Sequence, residues 1–541
     1  MLRSKPMILI ALLLAAFVIN LDTTLVNVAL PTLVRELGAT TSQLQWVVDA
    51  YNLVFAALLL TSGALSDRVG RKGMLLAGLA VFGTASVIGG FTTSPAQLIA
   101  VRSVMGLGAA MIFPATLSLI TNVFTGRAER ARAIGLWGAS AGIAIALGPI
   151  VGGWLLEHFS WASIFFAMGP VAAAAAALVA VSVPASKNPG AAGLDFPGLA
   201  LSTAAMALLV FTIIEAPSYG WGSGRSIAGF GVAAGLLAAF IGWERRAPSP
   251  RLDVRLFRNM RFSAASGAVT VAFFTLFGFI FLMTQYFQFI RGYGPLSTGV
   301  HLLPVALSVG AGSVAGTQLA VRAGTKLVVT TGLVAMAGFY VWVAAVTSAT
   351  TSYGIISAQM VVYGAGLGLT SAPATESIMG AVPRVKAGVG SAINDSTRLI
   401  GGTLGVAVIG SVYASVYGSR LSATIPAVVP APVAAIAHQS VGAAYAAAGK
   451  IAALGHPALG QALQHASTNA FLRGLTIGAL VAGGVAALGA VLAVLFLPAQ
   501  PATPTAYEAE TAGDAHDSQT QSRRPQRPTS PRPITQHHPS P

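Results

Sequence analysis

The stretch MILIALLLAAFVINLDTTLVNVAL, residues 7–30, is apolar almost throughout and carries a single carboxylate, Asp22. A helix rising 1.5 Å per residue over that length crosses a hydrocarbon core of roughly 30 Å. Burying an acid there costs on the order of 2.5–3.5 kcal/mol, so Asp22 is read as a working residue that exchanges a proton with a transported solute. Arg3 and Lys5 in front of the run imitate a secretory signal. The run is too long for a signal core and carries Asp22, so it reads as an uncleaved span.

Outward from this segment the same composition continues. Of 541 residues 55% are hydrophobic and 9% charged, where a soluble domain carries about 25% charged residues. Fourteen such spans can be counted, so an all-α integral membrane protein is expected. The net charge of +15 is unevenly placed: 19 basic residues fall in one set of connections and 6 in the other. The positive-inside rule then puts both termini in the cytoplasm of a multi-pass chain in the cytoplasmic membrane, bacterial in character. The basicity orients the chain in the lipid bilayer and needs no nucleic-acid partner. With no cysteine and scattered histidines, neither disulfides, thiolate chemistry nor a metal site is expected. No phosphate-binding loop and no nucleophile–base set are present, so neither ATP hydrolysis nor an enzyme is expected, and no cofactor.

Internal repeats set the architecture. Pro114-Ala-Thr-Leu-Ser in the fourth span is matched by Pro373-Ala-Thr-Glu-Ser in the twelfth, and Gly106-x-Gly108 by Gly364-x-Gly366. Gly148-Pro149-x-x-Gly152 in the fifth span is echoed by Gly401-Gly402-x-x-Gly405 in the thirteenth. This predicts a six-helix bundle over 1–190, two inserted helices over 191–250 and a second six-helix bundle over 251–498. An irregular outer connection is expected at about 418–470, and a disordered cytoplasmic tail over 499–541, rich in Pro, Thr, Ser, Gln and His. Parallel halves of this kind place a substrate site between them, near the midplane.

Four motifs recur in order. Leu21-Asp22-Thr-Thr-x-Val-Asn27 lies in the first span, and Gly63-Ala-Leu-Ser-Asp67-Arg68-Val-Gly70-Arg71-Lys72 joins the second to the third. Arg102-x-x-Met105-Gly106 lies in the fourth span and Gly148-Pro149-x-x-Gly152-Gly153 in the fifth. Gly63 and Gly70 permit a tight turn and close helix approach, and Asp67 can pair with a helix end or an arginine that withdraws when two bundles rock. Asp22, Asp49 and Arg102 fall at similar depth, roughly 9–12 Å from the outer boundary. Arg102 there can hold a carboxylate ionised, and its withdrawal would let that carboxylate take a proton. The alternative is snorkelling of Arg102 to outer headgroups.

Together these motifs resemble the major facilitator superfamily, and within it the fourteen-span drug:proton antiporters. The resemblance covers nearly all of residues 7–497. It implies a major facilitator fold, proton coupling through Asp22, Asp49 and Arg102, and a gating loop made of Gly63, Asp67, Arg68, Gly70 and Arg71. It makes Gly148, Pro149, Gly152 and Gly153 an antiporter motif, with Met105 standing where the family often has glutamine.

In the second half Asp395 and Arg398 lie three apart on one helix and read as a buried ion pair. Glu376 is either a cation attractor or an interfacial charge. The ninth span is rich in aromatics, of which Phe273 and Phe277 are the substrate-binding candidates alongside Asp49 and Glu376. The expected function is a monomeric proton-coupled antiporter that exports small lipophilic, cationic compounds, driven by the proton gradient. Its alternative is export of an endogenous metabolite, such as an antibiotic, siderophore or lipid precursor, by the same exchange.

Overall fold

Inside a bilayer each backbone N–H and C=O must be satisfied within its own segment, which leaves these apolar runs only the helix. The computed structural model describes residues 4–187, 195–247, 254–382 and 387–498. The expected tail, the basic residues Arg3, Arg251, Arg384 and Lys386, and the expected boundaries near 190 and 250 lie outside the described residues. The first six spans are α1 (Lys5–Leu37), α2 (Thr41–Val69), α3 (Arg71–Gly89), α4 (Pro95–Val123), α5 (Arg127–His158) and α6 (Ser163–Ser182). Two more follow, α7 (Phe196–Tyr219) and α8 (Gly224–Glu244). Then come α9 (Met260–Gln285), ended by a π-helical turn at Tyr286–Ile290, α10 (Pro295–His301) with α11 (Leu303–Ala323), α12 (Thr325–Val346) and α13 (Tyr353–Gly380). The chain closes with α14 (Ala387–Thr424), the short α15 (Ala431–Gln439) and α16 (Val441–Ala453), and α17 (Pro457–Phe496). Thirteen spans are long and apolar enough to cross a membrane, and α2, bent by 54° near Leu60, makes the fourteenth among the described residues.

Local chemistry fixes the ends. Gly38, at φ 65°, closes α1 in the left-handed conformation that a glycine adopts without penalty. Thr40 and Gln43 form a reciprocal capping box that starts α2. Because successive spans alternate direction, the described ends Ser4 and Pro498 share one end of the molecule. That end also carries Arg68, Arg71 and Lys72 and is called the basic end below.

The helix contacts repeat with an offset of eight spans. α1 packs on α5 and α6 as α9 packs on α14 and α17; α2 packs on α4 as α11 packs on α13; α3 packs on α4 and α6 as α12 packs on α13 and α17. The echoed glycines sit on equivalent contacts. A Cβ on Gly106 would lie 2.5 Å from the Tyr51 carbonyl oxygen of α2, and one on Gly364 2.6 Å from the Val305 carbonyl oxygen of α11. Small residues are what permit backbones this close without water to drive the association. α7 packs on α8, α14 and α2, so the inserted pair flanks the seam between the halves.

The halves are tied together at the end opposite the basic one. Gln45 donates through Nε2 to the Val406 and Ala407 carbonyls at 3.1 and 3.0 Å and to Ser411 Oγ at 3.2 Å. Gln288, in the π-helical turn, donates to the Val28 carbonyl at 2.9 Å and accepts from Arg35 at 3.4 Å. At the basic end no side-chain hydrogen bond or ion pair among the described residues joins the halves. α5 shows the contrast on one helix. Around Gly148–Gly153 it is packed against α1 and α10, whereas Gly138 and Gly142 have nothing within 4 Å and Ile143 is 55% exposed.

The outer connection departs from the expectation of an irregular stretch at 418–470. α14 runs on to Thr424, α15 and α16 follow, and α17 begins at Pro457. Alanine favours the helix, and Pro432 and Pro457 stand in first turns, where a missing N–H costs nothing. These prolines start helices where an irregular connection is expected. The segment also bridges the halves: Thr41 donates to the Gln439 carbonyl at 3.2 Å, and Gly442 abuts both Val34 and the Phe289 ring.

Candidate functional site

Asp22 and Arg102 meet in the first bundle. Arg102 Nη1 lies 2.6 Å from Asp22 Oδ2, and each residue is only 1% exposed. Arg102 therefore does not snorkel. Its remaining groups are placed by α2: Nε donates to the Val47 carbonyl at 3.1 Å, and the guanidinium lies 4.2 Å from the Tyr51 ring centroid. Met105, one turn along α4, brings its sulfur to 4.0 Å of Nη1. A guanidinium is planar, always charged and stacks on aromatic faces, which suits it to this slot. Removing one partner of such a pair costs about 3–5 kcal/mol, because the other is left charged and buried.

Asp49 is fully buried on the same stretch of α2, between Val47 and Tyr51. Neither of its carboxylate oxygens has a hydrogen-bond partner among the described residues. The same holds for Asn52 Oδ1 and Asn27 Oδ1, so polar atoms without partners gather on α1 and α2 near the ion pair. A buried, unmatched carboxylate of this kind is costly unless it binds a proton or a cation.

The fifth-span glycines pack on the turn of α1 that follows Asp22 and on the second half. Gly148 abuts Thr24 and Gly152 abuts Leu25, on the turn after Asp22, while Gly153 faces Pro295 and Leu296 of the second half. The Pro149 carbonyl abuts Gly299 of α10. α5 is thus wedged between α1 and the other half.

The Asp67 loop is folded on itself. Asp67 Oδ1 accepts from Arg71 Nε at 2.6 Å, Arg71 N donates to the Ser186 carbonyl at 2.9 Å, and Lys72 donates to the Ala180 carbonyl at 2.7 Å. Gly70, at φ 133°, makes the turn that a side chain would strain. Gly63 faces Pro114, and Arg68 is exposed. All of these partners belong to the first half.

Two expectations in the second half change. Asp395 and Arg398 do not form an ion pair. Arg398 donates to Thr375 Oγ1 at 3.0 Å and lies 5.2 Å from the Phe273 ring centroid, while Asp395 Oδ1 is 3.5 Å from Asn394 Nδ2. Spacing of three puts both on one face, but α13 and α9 supply Arg398 with nearer partners. Phe273 thus holds an arginine, and Phe277 is 8% exposed and packs on Gly402. Neither lines the cavity of about 420 Å³ that lies beside the inserted helices. Glu376 is exposed on α13. Tyr51, Gln45 and Gln288 were missed by the sequence reading; Tyr51 stands two positions from Asp49, whereas Gln45 and Gln288 fall at the ends of their apolar runs and gave no signal.

Fourteen spans among the described residues, in two repeated halves with an inserted pair and with a buried acid–arginine pair inside the first half, make up a multi-pass membrane transporter, not an enzyme. The chain belongs to the Major Facilitator Superfamily, whose family model matches residues 12–406. It is 36% identical over 413 residues to the multidrug resistance protein Stp of Mycobacterium tuberculosis, covering 76% of each chain. It is 33% identical to the multidrug efflux pump LfrA of Mycolicibacterium smegmatis, over 75% of this chain and 80% of that one. It is 32% identical to the tetracenomycin C resistance and export protein of Streptomyces glaucescens, over 76% and 77%. Among solved structures it resembles a bacterial homolog of the human lysosomal transporter Spinster in an inward-facing, unoccupied conformation. The TM-score is 0.64 at 17% identity, over 93% of this chain and all of the other, a likeness of fold.

Proposed function

We propose that the protein is a proton-coupled antiporter that exports lipophilic compounds, cationic ones among them, across the bacterial cytoplasmic membrane. The observation that carries this reading is the Asp22–Arg102 pair, buried at 2.6 Å within one half of a two-half transporter. The resistance and efflux proteins it resembles support the direction and the class of cargo.

With the basic end in the cytoplasm, as the loop charges indicate, the conformation described here is closed outward and loads substrate from inside. In it Asp22 is ionised and held by Arg102. After the halves rock, a proton from outside neutralises Asp22 and the ion pair is lost. Arg102 keeps its charge, since a guanidinium does not deprotonate in proteins, and stays on the Val47 carbonyl and the Tyr51 face. Return to the inward state releases the proton to the cytoplasm. Asp49 is a second site for a proton or for the positive charge of the cargo. The gating loop and the fifth-span glycines transmit the change, the loop by exchanging its Asp67–Arg71 pair for a partner in the second half.

The test is export of ethidium from proteoliposomes holding the purified chain. Export that follows an imposed pH gradient, and stops when a protonophore removes it, supports the reading; export indifferent to the gradient overturns it. Export of a neutral endogenous metabolite by the same exchange is the second reading. It is favoured by the likeness to the tetracenomycin C resistance and export protein.

A further inference from the structure

We propose that the cavity between the inserted helices and the seam is a binding site for an anionic phospholipid, whose acyl chain fills it while its headgroup rests on the arginines at its basic end. The cavity, about 420 Å³, is walled by α2 at Ala56, by α7 at Ala205 and Met206, by α8 at Ala233 and Phe240, and by α14 at Ile393. That volume falls in the range of about 300–1,000 Å³ typical of ligand pockets.

Its chemistry selects among occupants. The wall has no charged residue, and of its three hydroxyls Ser202 and Thr397 donate to carbonyls of their own helices, Leu199 and Asn394. A cation would find no carboxylate there, only the Phe230, Phe240 and Phe257 rings and the Ser396 hydroxyl, whereas a hydrocarbon chain would find apolar surface on nearly every side. The rim is of the opposite kind. α8 ends in exposed Arg245 and Arg246 five and six residues past Phe240, and exposed Arg258 follows Phe257, which itself lines the cavity. Basic clusters next to a membrane-embedded slot are attracted to anionic headgroups by about 1 kcal/mol per Lys or Arg.

The position gives such a lipid a task. α7 touches both α2 and α14, the two helices that Gln45 ties together across the seam. A chain lodged behind them would act as a shim between the inserted pair and both moving halves. The proposal does not depend on which solute is carried.

Native mass spectrometry of the full chain, incubated with dioleoylphosphatidylglycerol or dioleoylphosphatidylcholine, tests it. The wild type should retain one phosphatidylglycerol with at least about fivefold preference. Ala205→Phe, which fills the cavity from α7, should lose retained lipid of either headgroup. Ala233→Trp does the same from α8, a helix that packs chiefly on α7, and guards against misfolding of the first variant. Arg245→Gln/Arg246→Gln/Arg258→Gln should lose only the preference. Unchanged retention in both filled variants, or no headgroup preference in the wild type, overturns the proposal. Displacement of the lipid by ethidium overturns it too, and would assign the cavity to the cargo.

Discussion

Gly148 of α5 lies against Thr24 of α1 so closely that a methyl group there would overlap the Thr24 hydroxyl, two residues past Asp22. The Gly148–Gly153 stretch of α5 and the turn of α1 that follows Asp22 are therefore in direct contact. Gly148→Ala should push α1 and displace Asp22 from Arg102, a kind of overpacking that costs about 1–3 kcal/mol. Ethidium export should fall about tenfold or more, while Gly142→Ala, which has nothing within 4 Å, should leave it unchanged.

The repeat predicts what the pair contributes to stability. The offset that aligns Gly106 with Gly364 aligns Arg102 with Met360, which is fully buried, and α9 carries no carboxylate. The second half thus folds with an apolar version of the same slot. Arg102→Met alone should destabilise the protein by about 3–5 kcal/mol, since it strands a buried Asp22. Asp22→Ala/Arg102→Met should recover most of that loss in thermal unfolding and still fail to couple export to a pH gradient.

Closure of the end opposite the basic one can be trapped directly. Gln45 lies against Gly410 across the seam, and the chain has no cysteine of its own. Gln45→Cys/Gly410→Cys should cross-link on oxidation, stop transport, and regain it with reductant. A double variant that transports equally well oxidised and reduced, despite a formed cross-link, would mean that these helices do not separate during the cycle.

Arg398 is held by Thr375 and the face of Phe273. Phe273→Ala should loosen it and allow it to reach Asp395, three residues away on the same helix. Phe273→Ala and Asp395→Asn in a double-mutant cycle should then show a coupling of about 1 kcal/mol or more in thermal stability. Additive effects would mean that Arg398 keeps its place without the ring.

Much of this molecule could be read from its residues. Span count and the two-fold repeat were legible because apolar runs and small-residue spacing act locally on each helix. Asp22 and Arg102 were legible as partners because their depths follow from helical rise alone. What escaped was whatever depends on rotation about a helix axis or on a third helix. Spacing of three placed Asp395 beside Arg398, but only the packing of α9 shows that Phe273 intervenes. The aromatic run of α9 covers every face, so sequence could not tell which rings meet the second bundle's core. Alanine-rich helices between prolines looked like a loop because Pro432 and Pro457 read equally as stops and as starts.

The most direct test of the coupling scheme is proton release by the purified protein on adding ethidium, followed in weakly buffered detergent solution with a pH-sensitive dye. The wild type should release protons in proportion to bound ethidium over a defined pH range, and Asp22→Asn should bind ethidium but release fewer. Equal release by the two proteins across that range would contradict a cycle in which Asp22 carries the exchanged proton.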